Sequence, residues 1–386
     1  MNRRRPKALS AADARADGDL RKQRICLVIP AHWEAFMGGS QYQAKFLVEA
    51  LAETGDFEIF YLTRRAPAGF TPHDHQIVAV KGIPGLKRYT DVFDSVDLLR
   101  KLRVIRPDVV YQRASSGFTG VCAYYAKHAG IRSIWHVASD VDVIPAPAFE
   151  WLKVHHHLEK RFIEYGLRHA STIVTQTRTQ SDLMARHYGR AADWVIPNYQ
   201  PMPEACAPKP GPLRVVWLAN VKPTKQPHLF VQLASALGHR SDVEFVMVGA
   251  PDADETRMAG VLSELERVPN LSYLGPLPQA EANAVLARSH LLVNTSTAEG
   301  YSNTFIQAWQ RGLAVVSLNS NPDSVLDDGS IGYCANGDFG RLVRRVDLLL
   351  SQPEVLSSMG DRAVRFARSQ FGRENLERLV QVVAGR

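Results

Sequence analysis

Residues 295–310, TSTAEGYSNTFIQAWQ, set a carboxylate, Glu299, before the turn Gly300-Tyr301-Ser302-Asn303, which runs into an amphipathic segment. A loop carboxylate can accept hydrogen bonds from a polyol. Ser302 or Asn303 suits a helix N-cap, and the free N–H groups of Asn303 and Thr304 would attract an anion. Gln307 lies four residues after Asn303, on the same face one turn deeper. It stands eight positions after Glu299, where a second acid would complete a pair. A second stretch, WLANVKPTKQP, places Lys222 and Lys225 just past an apolar strand. Lysines there can pair with a diphosphate as point charges, and a solvated loop is the alternative. A third, Met37-Gly38-Gly39-Ser40, follows the first strand and lets backbone N–H groups approach an anionic ligand. It is not G-x-G-x-x-G, so it does not specify a dinucleotide, and a plain tight turn is the other reading.

These residues need elements that bring them to one place. ICLVIP, FEIFYLT, DVVYQR, SIWHVA, STIVTQT and DWVIPN read as short buried strands. They are separated by helical segments such as AKFLVEALAETG, DVFDSVDLLRKLRVIRP and the long FEWLKVHHHLEKRFIEYGLRHA. QPMPEACAPKPGP then interrupts the alternation with five prolines in thirteen residues, an extended connector. The alternation restarts with LRVVWLA, VEFVMVG, LSYLG, LLVNTS and AVVSL. Strands alternating with helices predict parallel sheets covered on both faces. The fold class is therefore α/β, two Rossmann-like domains facing across a cleft, with ligands at the carboxyl ends of the strands. The expected divisions are a basic leader at 1–23, an N-terminal domain at 24–199, and a proline-rich linker at 200–212. A C-terminal domain follows at 213–365, and a final helix at 366–386 packs back on the first domain.

Composition narrows the function classes. The first 24 residues carry eight Lys/Arg against three Asp, a net of +5 out of the chain's formal +7. The body is then only about +2, which argues against a nucleic-acid footprint on a folded face. The leader has no apolar core and reads as a disordered segment rather than a signal peptide. No apolar run approaches the roughly 18 residues that cross a bilayer. Cys26, Cys122, Cys206 and Cys334 are too dispersed for a zinc site and fit reduced thiols in the cytoplasm. His155-His156-His157 on one helix point about 100° apart and cannot converge on one ion. His136 ends a strand and should face the cleft from the wall opposite Glu299, a satisfied core histidine being the alternative. No two acids are placed as the nucleophile and general acid of a retaining hydrolase.

Taken together, MGGSQYQAKFLVEALAETG, NVKPTKQPHLFVQLA, STIVTQTRTQSDLMARHYGRAADWVIPN and AEGYSNTFIQAWQRGLAVVSLN resemble the retaining glycosyltransferases of family 4, with the two-domain GT-B fold. The resemblance extends over nearly the whole chain after residue 24. It implies that Glu299 contacts donor-sugar hydroxyls and that the backbone of Gly300, Tyr301, Ser302, Asn303 and Thr304 holds the sugar and distal phosphate. It also implies that Lys225 binds the diphosphate, that Gly38 and Gly39 lie near the phosphates, and that His136 lies near the transferred sugar. Two positions depart from the family pattern. Asn220 stands where many members have arginine, so Lys222 would supply the second charge. Gln307 replaces the acid that holds ribose hydroxyls. Asp140-Val141-Asp142 is similar to the metal-holding Asp-x-Asp of other, single-domain sugar transferases, and no metal is assigned to it here.

The implied activity is transfer of a sugar from a nucleotide-diphosphate sugar to an acceptor hydroxyl with retention, in cell-surface polysaccharide or glycoconjugate synthesis. No cofactor is implied beyond the donor substrate. The implied partners are the donor and a glycan or lipid-linked acceptor, with the basic leader offering weak attraction to an anionic membrane face. A nucleotide-sugar epimerase of the same fold and a non-catalytic sugar-nucleotide-binding subunit are the competing readings.

Overall fold

Apolar runs of four to seven residues between amphipathic helices bury both strand faces and fold as parallel sheets. The computed structural model describes residues 21–81, 90–145, 154–204, 209, 211–252 and 254–386. The leader lies mostly outside these residues, as do Cys206 and the side chains of His155, His156 and His157.

The first half comprises β1 (Gln23–Val28), α1 (Gly39–Thr54), β2 (Phe57–Thr63), β3 (Gln76–Ala79), α2 (Thr90–Ile105) and β4 (Val109–Arg113). It continues with α3 (Gly117–Ala129), β5 (Arg132–His136), α4 (Val154–His169), β6 (Thr172–Thr175), α5 (Arg178–Tyr188) and β7 (Trp194–Val195). Its seven strands form a parallel sheet in the order β3-β2-β1-β4-β5-β6-β7. The second half comprises β8 (Leu213–Leu218), α6 (Pro227–Ala236), β9 (Val243–Val248), α7 (Glu255–Leu265), β10 (Leu271–Tyr273), α8 (Gln279–Ala287) and β11 (Leu291–Asn294). After these come α9 (Asn303–Gln310), β12 (Ala314–Ser317), β13 (Gly332–Cys334), α10 (Phe339–Leu350) and α11 (Pro353–Gln370). Its six strands run β10-β9-β8-β11-β12-β13. Two Rossmann-like sheets are thus present, as the alternation predicts. Strands β3 and β13 add to the predicted set, being too short and too plain in composition to stand out.

Each sheet reverses its winding once, between β1 and β4 in the first and between β8 and β11 in the second. Loops diverge at such switch points and leave a crevice beyond the strand ends. The stretches singled out in the sequence leave β1, β8 and β11, so they flank these two crevices.

The helical end of the chain divides in two. Helix α11 packs on α9 and α10, the chain turns at Phe371 and Gly372, and α12 (Arg373–Ala384) lies on α1. Leu379, Val382 and Val383 of α12 join the core built by Ile25, Leu27, Leu47, Tyr61 and Tyr111. Arg132 of β5 donates to the carbonyls of Val382 (2.8 Å) and Val383, satisfying the end of α12.

Candidate active site

The two switch-point crevices open into one cleft of about 850 Å³ between the sheets. Its second-domain wall carries Asn220, Lys222, Lys225, Glu299, Tyr301, Ser302, Asn303, Thr304 and Gln307. Its first-domain wall carries Gly38, Gly39, Tyr42, Arg113, Ala138, Ser139, Asp142 and Asn198.

Glu299 and Lys225 meet directly. Glu299 is largely buried, its side chain 13% exposed, and its Oε1 accepts from Lys225 Nζ and from Ser296 Oγ (2.9 Å). Burial pulls the Lys225 ammonium down from 10.5 to about 8, with the charge of Lys222 as the second cause. The carboxylate at its side opposes that shift and favours the ammonium form. Lysine 225 sits in a 3-10 turn, Pro223–Lys225, that starts at Lys222. Lys222 reaches across the cleft, its Nζ 5.6 Å from the centroid of Phe36 in the first domain. Asn220 is used within its own wall, its Oδ1 accepting from the Ala250 N–H (3.3 Å).

Helix α9 begins at this point without a side-chain cap, because the hydroxyl of Ser302 makes no capping bond. The Phe305 N–H donates to the Ser302 carbonyl (3.0 Å), so the N–H groups of Asn303 and Thr304 are the ones left for a ligand in the cleft. Tyr301 lines the cleft while its ring packs on Phe371 (centroids 5.0 Å) and near Trp309. Thr304 Oγ1 donates to the Leu218 carbonyl (3.3 Å), pinning α9 to the end of β8. Asn303 ties the walls together: Nδ2 donates to Gly39 O (3.2 Å), and Oδ1 accepts from Gln43 (3.0 Å) and Asn198 (3.2 Å). Gly300 lies so close to the Gln180 amide of α5 that a Cβ there would collide with it. Gln307 is buried, 5% exposed, and its side chain lies beside the Tyr42 hydroxyl of α1.

His136 departs from the expected position. Its ring is 2% exposed and does not line the cleft; Ala138 and Ser139, just past the strand, do. The reason is register. Arg113 and His136 are paired across β4 and β5, so Tyr111, Arg113 and His136 share one covered sheet face. The Tyr111 hydroxyl is 2.7 Å from His136 Nδ1, and Arg113 Nη1 is 2.9 Å from the same atom. Burial, then the Arg113 charge, hold the imidazole neutral, far below its ordinary pKa.

Asp140 and Asp142 diverge as well. Asp142 Oδ1 accepts from Ser115 N (3.1 Å) and Oγ (2.8 Å), and Oδ2 from Ala138 N (2.8 Å) and Ser139 N (3.0 Å). All its strong acceptor sites face chain donors, so it fastens the loop after β5. Asp140 accepts from Gln180 Nε2 (2.9 Å), and burial raises its carboxyl to about 6. Among the described residues no three His, Cys, Asp or Glu side chains cluster as a metal site.

Arg113, Asn198, Gln43 and Tyr42 were not singled out from the sequence. A usable signal existed for the first: Arg113 is the last residue of DVVYQR, and that strand's end lies at the switch point.

Residues 37–199 match the model described as "Glycosyltransferase Family 4", and residues 212–352 match that described as "Glycosyl transferases group 1". A "Glycosyltransferase 1 domain-containing protein 1" from Xenopus tropicalis is 24% identical over 166 residues, which span 42% of this chain and 47% of that protein. Among solved structures, sucrose-phosphate synthase from Thermosynechococcus elongatus aligns with a TM-score of 0.74 at 15% identity, covering 94% of this chain and 99% of that one. Anabaena HepE in complex with UDP-glucose gives 0.73 at 15% identity, with 94% and 99% covered. WaaG, described as a glycosyltransferase involved in lipopolysaccharide biosynthesis, gives 0.74 at 12% identity, with 94% and 100% covered. At these identities the structural likenesses establish a shared GT-B fold. No helix among the described residues is long and apolar enough to cross a membrane.

Proposed function

The chain belongs to the family 4 glycosyltransferases of GT-B fold, and from that premise we propose that it transfers a sugar from a nucleotide-diphosphate donor to an acceptor hydroxyl, with retention of anomeric configuration. The observation that carries this reading is the meeting of Lys225, Glu299 and the uncapped start of α9 at one switch point. A departing nucleoside diphosphate gains negative charge as the anomeric carbon turns positive. Lys225, Lys222 and the α9 N-terminus oppose the first charge, and preorganised groups of this kind are effective in a site that excludes water. Glu299 accepts from sugar hydroxyls and positions the anomeric carbon. In this reading attack comes from the leaving-group face, and the departing phosphate takes the acceptor's proton. This requires no metal in the chemistry.

HepE is known in complex with UDP-glucose and WaaG is involved in lipopolysaccharide biosynthesis, and these likenesses support a nucleotide-sugar donor and a glycan or glycoconjugate acceptor here. Cell-surface polysaccharide synthesis, at the inner face of a membrane, is the setting we propose.

Thermal stabilisation by UDP, GDP, ADP and their sugars identifies the donor, and NMR of the product then reads the anomeric configuration. Retention is expected; an inverted product would sink the proposed mechanism. Formation of an epimer from donor alone would replace transfer with epimerisation. Tight nucleotide binding without any turnover would favour a non-catalytic subunit.

A further inference from the structure

Arg113 is a buried cation for which the described residues supply no counter-charge. It ends β4 at the first switch point, is 2% exposed, and lines the cleft. Nη2 donates to Asn198 Oδ1 (2.7 Å), and Nη1 lies 2.9 and 3.2 Å from the two ring nitrogens of His136. Nε is buried with no partner. Both neighbours are neutral, because the imidazole is held uncharged. No carboxylate lies within ion-pair distance of Arg113 among the described residues. Arg64, also on the first domain, instead has Asp94 at 2.6 Å. A guanidinium removed from water without a compensating charge is costly, and it persists where a ligand anion completes it.

Position selects which anion. Asn198, which accepts from Arg113, donates through Nδ2 to the Tyr301 carbonyl (3.0 Å) and to Asn303 Oδ1 (3.2 Å). Arg113 is therefore one side chain removed from the start of α9. The opposite wall is short of positive charge: Lys222 and Lys225 give +2, and Glu299, bonded to Lys225, returns the sum to +1. A nucleoside diphosphate ester carries about −2 at neutral pH. The one acidic side chain lining Arg113's own wall, Asp142, is taken up by its four donors.

We propose that Arg113 binds the sugar-bearing phosphate of the donor, giving the first domain a charged contact with the leaving group. This rests on the nucleotide-sugar reading above. The guanidinium fork suits two oxygens of one phosphate, and the contact joins the two walls only when donor is present.

The test is calorimetric titration with whichever of UDP, GDP or ADP most stabilises the wild type, alongside the matching monophosphate. Arg113→Gln should weaken the diphosphate by about tenfold to a hundredfold, the loss of a charge-assisted bond. It should leave the monophosphate within about threefold, since the contact is to the distal phosphate. Arg113→Lys keeps charge without the fork, and should show the same diphosphate-only pattern with a smaller loss. It decides the matter should Arg113→Gln not fold. Unchanged diphosphate affinity with lost turnover would overturn the proposal and assign the cation to an anionic acceptor. Equal weakening of mono- and diphosphate would overturn it in favour of a purely architectural role. If no nucleotide binds the wild type, the nucleotide-sugar reading itself fails, and this inference falls with it.

Discussion

Lys225 and Glu299 neutralise each other, so a donor must take the lysine away from its own carboxylate. This separates their roles experimentally. Lys225→Ala removes a charge-assisted contact worth about 1.5–3 kcal/mol, and diphosphate affinity should fall tenfold or more. Glu299→Gln should abolish turnover while nucleoside diphosphate binds as well as to wild type, or tighter, because the competitor for Lys225 has gone. Loss of nucleotide binding in Glu299→Gln would contradict this order of competition. The lysine also sets a pH dependence. With its folded pKa near 8 against an ordinary 10.5, the native site holds fewer protons than the unfolded chain between those values. Stability from this group accordingly rises with pH in that window. Binding runs the other way, since a phosphate favours the ammonium. Diphosphate affinity should decline as pH rises through about 8, and titration near pH 8.5 in buffers of different ionisation heat should show proton uptake. Gln307→Glu should leave turnover in place, because residue 307 lies a turn below the α9 start, beside Tyr42.

At the scale of elements, the site depends on two strand-exit loops that touch. Gly249, after β9, has φ +155°, and a Cβ there would strike the Ala219 carbonyl after β8. Its N–H donates to Gly275 O (3.0 Å) and its carbonyl accepts from Tyr273 (2.8 Å), so the loop cannot shift freely. Gly249→Ala should lower stability by roughly 1–3 kcal/mol or more and weaken donor binding with it; unchanged thermal unfolding would show that the loop can yield. These elements also mark how far the sequence could be read. Glycine loop, lysine turn and acid loop were legible because each sits at a strand exit, where residue type and local spacing carry the message. His136 was not, because alternation along a strand says which residues share a face but not what covers it. Asn198 and Arg113 meet only through sheet order and the approach of α9, and no local spacing encodes that. Asn303 looked like a capping residue, yet its side chain is committed to Gly39, Gln43 and Asn198 across the cleft.

For the whole molecule, polar contacts among the described residues join the domains, and the described core clusters lie within one domain or the other. Asp323, in a left-handed conformation at φ 49°, accepts from the N–H groups of Arg178 (3.2 Å) and Thr179 (2.9 Å). One domain thereby caps the first turn of a helix in the other. Gln310 adds a bond to the Gln200 carbonyl (2.9 Å). Asp323→Ala removes a cap worth about 1 kcal/mol, and small-angle scattering of the free protein should show a larger radius of gyration that nucleotide diphosphate reverses. A radius equal to wild type would mean the remaining contacts suffice to hold the cleft. The chain crosses between domains twice, once between β7 and β8 and again at Phe371–Gly372 before α12. During synthesis, then, the first domain to emerge is the last to be finished. Its core waits for Leu379, Val382 and Val383 to leave the ribosome, by which time the second domain has had its full length available to fold.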